Sequence, residues 1–112
     1  MNIPDKVKIG WRNYKVMQGE DRRDEKGNML IGQIDYDSHT IYLKKDIVDE
    51  DEKCLSFLHE ILHGIFYSEG QTKLRSNEDL IMAISEGLYQ VIKDNPGMFK
   101  DGEVDGKDKD KN

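Results

Sequence analysis

The chain is short of the features that mark secreted, membrane-spanning or nucleic-acid-binding proteins. One cysteine, Cys54, in 112 residues leaves no internal disulfide framework and suits a reducing compartment, so the expected location is the cytoplasm. No apolar run approaches the roughly 18 residues that a bilayer crossing requires, which excludes a spanning helix. The opening Met1-Asn2-Ile3-Pro4-Asp5-Lys6 lacks the apolar stretch of a secretory leader. Hydrophobic residues make up only 36%, the same share as charged ones, and the mean hydropathy is -0.81. A core must therefore be small and concentrated in a few segments of a single domain. Cations are also scarce, 17 against 23 acidic residues for a net charge of -6. Phosphate binding needs a local excess of positive charge, so nucleic acid is not expected as a direct partner. The densest basic pair, Arg22-Arg23, is flanked by Glu20, Asp21, Asp24 and Glu25 and reads as a solvated loop.

What is present divides into a β-prone first part and a helical second part. Val7-Lys8-Ile9-Gly10-Trp11 alternates as a half-buried strand does, and Tyr14-Lys15-Val16 continues it after a break. Gly19 to Asn28 is polar and forms a surface loop. Met29 to Tyr36 and Thr40 to Leu43 are two β-prone runs around Asp37-Ser38-His39, a hairpin in which Ile34 and Tyr36 share a face, as do Ile41 and Leu43. Five of the eight residues from Asp46 to Lys53 are acidic. They precede an apolar-periodic segment from Cys54 to Tyr67, where carboxylates complement the unpaired N–H groups of a helix start. After Gly70 and a polar connection from Gln71 to Asn77, a second helix is expected to about Lys93, with Leu80, Ile81, Ile84, Leu88, Val91 and Ile92 at helical spacing. Asp94-Asn95-Pro96-Gly97 stops it. The fold class is thus α+β, a short sheet packed on two helices across residues 1–97, with a charged, disordered tail over 98–112.

The first helix carries His59-Glu60-Ile61-Leu62-His63, an H-E-x-x-H pattern. At about 100° per residue from Cys54, Leu58, Ile61, Leu62 and Ile65 cluster as the buried stripe, while His59, His63 and Glu60 lie near 140°, 180° and 240°. Two imidazoles one turn apart converge on one cation, with a carboxylate beside them. Zn2+ suits this donor set, because neutral imidazoles leave its charge high enough to activate water. Glu60 is then the general base, taking the proton from that water and passing it to a leaving amine. The chemistry is hydrolysis of an amide bond.

Such sites commonly have three protein ligands. No histidine follows His63, and His39 falls in the hairpin turn as a solvated residue. The third ligand is expected to be a carboxylate on the second helix. With Leu80 at zero, Glu78 lies near 160°, beside Ile81 and Ser85 at the edge of the apolar stripe, whereas Asp79 and Glu86 lie near 260° and 240° and point away. Glu78 is preferred, with Asp79 in reserve.

The hairpin Gly32-Gln33-Ile34-Asp35-Tyr36…Thr40-Ile41-Tyr42-Leu43, the segment HEILHGIF and the acid-led helix NEDLIMAISEGLYQVIKDNP together resemble small zinc metallopeptidases of phages and mobile elements, the ImmA/IrrE-like and SprT-like minimal zincins. The resemblance covers about residues 29–97 and implies a small mixed sheet on an active-site helix and a following helix. It implies His59, His63 and an acidic residue of the later helix as zinc ligands, with Glu60 as base. It further implies a protein or peptide substrate held antiparallel to an edge strand, in the ImmA-like group often a repressor-type regulator, which puts the protein in a host cytoplasm.

Other residues have simpler uses. Cys54 sits on the apolar stripe as a small core residue, and Trp11 and Tyr14 cover the sheet. Tyr67 and Tyr89 carry hydroxyls able to stabilise an oxyanion, although packing is the commoner role of such rings. The alternative function is a catalytically silent regulatory module, in which zinc holds the same fold together and the hairpin docks a protein.

Overall fold

The computed structural model describes residues 1–100. The alternating N-terminal residues form β1 (Lys6–Ile9) and β2 (Arg12–Gln18), an antiparallel hairpin in which Ile9 pairs with Arg12. Gly10 turns the chain at φ +64°, a left-handed conformation that favours glycine. The expected surface loop contains one short strand, β3 (Arg22–Arg23), which pairs with β4 (Met29–Leu30), the start of the β-prone run that follows the loop. Arg22 is therefore not merely solvated: its Nε donates to Gln33 Oε1 at 2.9 Å and its guanidinium lies 4.0 Å from the Tyr42 ring centre.

The second hairpin is β5 (Gly32–Asp35) and β6 (Thr40–Leu43), with Ile34 opposite Ile41. It is shorter than its sequence suggests, because Asp35 Oδ1 accepts from the backbone N–H groups of Asp37 and Ser38 and starts the turn there. Tyr36 consequently leaves the strand. The two hairpins join through a parallel β2–β6 pair, Lys15 opposite Thr40, giving a mixed sheet in the order β1-β2-β6-β5. β5 is an edge strand.

Helix α1 (Glu50–Ser68) begins at Asp49, whose carboxylate accepts from the N–H groups of Asp51 and Glu52; the acidic run serves as a cap, as its position dictates. Helix α3 (Glu78–Asp94) begins at Asn77, whose side chain accepts from Leu80 N–H. Between them the polar connection contains one helical turn, α2 (Thr72–Arg75). The whole is a small α+β architecture, a mixed sheet with three helices. None of the described helices is long and apolar enough to cross a membrane.

Ile9, Tyr14, Val16, Ile41 and Leu43 of the sheet close the core against Phe57 of α1. Contact is tightest at Gly64, where an added Cβ would stand 2.9 Å from Ile9 Cδ1 and 3.0 Å from Ile34 Cδ1. The glycine lets α1 lie close to the sheet. Cys54 is buried as a core residue, and burial, with Glu50 nearby, raises the pKa of its thiol. Trp11 does not cover the sheet: it sits in the β1–β2 turn and is 74% exposed. On α3 the fully buried positions are Ile81 and Ser85, at about 100° and 140° from Leu80, so the helix is rotated from the apolar stripe that hydrophobicity alone centres at about 50°, and Val91 is exposed. Ser85 tolerates burial because its hydroxyl donates to Ile81 O at 2.6 Å. Of the tail expected over 98–112, Met98 and Phe99 continue a turn after Asn95 and Lys100 N–H donates to Gly97 O at 3.1 Å; residues 101–112 lie outside the described residues.

Candidate metal centre

The rotation of α3 brings the third donor to the other two. Glu78, Ile81 and Ser85 follow i, i+3, i+7 spacing and share one face. With Ile81 and Ser85 buried, Glu78 at the start of the helix reaches back to α1. His59 Nε2 lies 3.1 Å from Glu78 Oε1, and His63 Nε2 lies 3.2 Å from Glu78 Oε2. The two imidazoles stand one turn apart with ring centres separated by 5.0 Å. Three donor atoms, one from each residue, lie within 4.8 Å of one another. Asp79 is outside this cluster, as is His39, which instead accepts from Arg12 Nη1 at 2.6 Å and packs edge-on against Tyr14.

These distances suit zinc. Donors about 2.1 Å from a tetrahedral ion lie about 3.4 Å from each other, a little more than the two nitrogen–oxygen separations, which run to the two different oxygens of Glu78. Two imidazoles and one carboxylate also leave room for a fourth ligand, the open coordination of a catalytic site. Burial, and then the neighbouring His63, holds the pKa of His59 below its ordinary value, while Glu78 pulls the other way. The neutral imidazole favoured by this balance is the form that binds metal.

Glu60 departs from the helix-wheel expectation. That arithmetic turns it away from the buried stripe, yet only 7% of the residue is exposed. Helix α1 is covered on two sides, by α3 and by the β5 edge, so a single stripe does not describe it. Its carboxylate packs against Gly32 of β5, where an added Cβ would meet Oε2 at 3.1 Å and Cγ at 3.3 Å. Glycine at that edge position makes room for the acid. The group has no hydrogen-bond partner among the described residues, and burial, reinforced by the Glu78 charge, pushes its pKa up to about 8. A buried carboxyl with a raised pKa beside a cavity is a candidate functional group.

The centre opens into a groove along β5. A cavity of about 380 Å³ is lined by Leu30, Gly32, Gln33, Ile34 and all four site residues. An adjoining space of about 480 Å³ shares Leu30, Gly32, His59 and Glu60 and adds Met29, Ile31, Leu55 and Met82 as apolar walls. No protein-family model matches the chain, and neither a curated protein nor a solved structure matches it. Geometry alone speaks for the site.

Neither tyrosine considered as an oxyanion donor lines the cavity around the four site residues. Tyr89 donates to Asp51 Oδ1 at 2.6 Å, and Tyr67 stacks on Tyr36 at 4.1 Å between ring centres. Sequence reasoning missed Gly32. A glycine inside the β-prone run from Met29 to Tyr36 was the available sign of a close approach.

Proposed function

We propose that the protein is a zinc-dependent peptidase of the minimal zincin kind, acting on an extended segment of a protein or peptide. The observation that carries this reading is Glu60, a buried carboxyl with no hydrogen-bond partner, next to three convergent metal donors. His59 and His63 from α1 and Glu78 from α3 would hold the ion. Zinc supplies a water of lowered pKa and polarises a carbonyl. With such an ion bound, its charge would lower the raised Glu60 pKa, and the carboxylate would serve as the base that takes the water proton. The same group would return that proton to the departing amine.

Substrate geometry follows from the edge strand. β5 offers outward N–H and C=O groups to an extended chain, the β-augmentation mode. The adjoining apolar walls would take a hydrophobic side chain next to the scissile bond.

The test is Glu60→Gln in the zinc-loaded protein, assayed on a degenerate peptide library by mass spectrometry. Metal content should stay at about one zinc per chain, as a three-donor set provides, while cleavage falls by about 10² to 10⁴. Full activity in this variant, or no cleavage of any library member by the zinc-loaded wild type, refutes the assignment.

A further inference from the structure

A second cleft lies at the other end of α1, with a volume of about 450 Å³, inside the roughly 300–1,000 Å³ range of small-molecule sites. It forms because the β1–β2 turn sits directly on the last turn of α1, where Gly10 leaves no side chain to collide with Ser68 Oγ. Its lining includes Trp11, Arg12, Tyr14, Tyr67, Ser68 and Arg75.

Two features of this lining are unusual in an acidic chain. Neither Arg12 nor Arg75 has a carboxylate within 4.0 Å among the described residues, although the net charge is -6. Instead, both guanidinium groups lie over aromatic rings. Arg12 sits 4.2 Å from the Trp11 ring centre, and Arg75 sits 5.3 and 5.4 Å from Tyr36 and Tyr67. Stacking uses the face of a guanidinium, so its N–H edge can still hold an anion; Arg12 gives Nη1 to His39 Nε2 at 2.6 Å and keeps its other N–H groups. The second feature is Tyr14, which is 2% exposed and whose hydroxyl has no hydrogen-bond partner among the described residues. A buried hydroxyl on the wall of a cleft normally has a partner, and here a ligand oxygen would be one.

We propose that this cleft binds a small aromatic acid, a carboxylate or a phosphate monoester. The two arginines would grip the anion, the Tyr14 and Ser68 hydroxyls would donate to its remaining oxygens, and the exposed Trp11 ring would cover its flat part. Forked guanidinium donors match both acids, so the shared chemistry is an oxyanion that presents two acceptor oxygens, carried on an aromatic body. The site is independent of the metal centre and needs none of its residues.

Trp11 is the only tryptophan, so its fluorescence reports on this cleft alone. The full-length protein is titrated in about 0.01 M salt, where charges are weakly screened, with phenyl phosphate, benzoate and neutral benzyl alcohol. One or both anions should change the emission saturably with a Kd below about 1 mM, and benzyl alcohol should not. The tighter anion identifies the acid. Arg12→Gln combined with Arg75→Gln should weaken binding at least about tenfold, and Tyr14→Phe, which keeps the core ring, about threefold or more. No saturable response to either anion, equal binding of benzyl alcohol, or unchanged affinity in both variants overturns the proposal.

Discussion

Zinc should act as a strap between α1 and α3, and the size of that effect is calculable. Two donors, His59 and His63, stand on α1 and the third, Glu78, on the first turn of α3. Because the donor atoms already lie within 4.8 Å, little of the binding energy goes into assembling the site. An ion that binds only the folded state stabilises it by RT ln(1 + [L]/Kd), about 2.7 kcal/mol at a hundredfold excess over Kd. For a domain of this size each kcal/mol moves the melting temperature by about 4–8 °C, so zinc should raise it by about 10–20 °C. Glu78→Gln removes the donor from α3; a hundredfold loss of affinity, about 2.7 kcal/mol, would abolish nearly all of that rise at the same zinc concentration. Glu60→Gln should keep it, since Glu60 is not one of the three donors. The assay is thermal unfolding by circular dichroism with added zinc and with a chelator. Equal zinc-induced shifts in wild type and Glu78→Gln would show that Glu78 is not a ligand. No shift in the wild type would remove the metal centre altogether.

Other perturbations test the fold around it. Gly64→Ala gains up to about 1 kcal/mol of helix propensity but forces its methyl onto Ile9 and Ile34, an overpacking worth about 1–3 kcal/mol. The net loss should be about 1 kcal/mol, read as a fall in melting temperature; a rise would mean that both isoleucines yield freely. Asp51 accepts from Tyr89 at 2.6 Å and from Lys93 at 3.0 Å, and these contacts, Tyr89 first, hold its pKa below the ordinary value. A depressed carboxylate stabilises the fold above its unfolded pKa, and that contribution disappears as the pH falls through the folded one. Asp51→Asn should therefore lower the melting temperature at pH 7 and flatten its decline on acidification below about pH 4. Parallel pH curves for the two proteins would contradict this.

Much of this was legible before any coordinates, and the failures share a cause. The two long helices, their caps and the second hairpin are encoded by neighbouring residues: Asp49, Asn77, Asp35 and the apolar periods around them. The cluster of His59, His63 and Glu78 was legible too, because a helix wheel fixes which side chains share a face. What stayed hidden depends on packing between distant segments. The parallel pairing of Lys15 with Thr40 leaves no local mark, and the pairing of Arg22 with Leu30 spans a polar loop. Glu60 was assigned to an open face because one stripe was assumed for a helix that is covered on two sides. The turn of α3 toward Ile81 and Ser85 was likewise set by its partner, since a serine on the buried line contributes nothing to a hydrophobic period. The alternation from Val7 to Trp11 extends a strand through Trp11, but Gly10 bends the chain at φ +64° and leaves Trp11 in the turn.

The brevity of β5 sets a limit on how any bound chain is chosen. Four residues at a sheet edge turn about half their backbone groups outward, enough for some four hydrogen bonds at roughly 1 kcal/mol each. Immobilising a free peptide takes at least about 4 kcal/mol, so the main chain alone achieves no net retention. Under the proposed function, selectivity would then come almost wholly from side chains entering the walls of Met29, Leu30, Ile31, Leu55 and Met82, and sequences lacking a matching apolar group would diffuse away uncut.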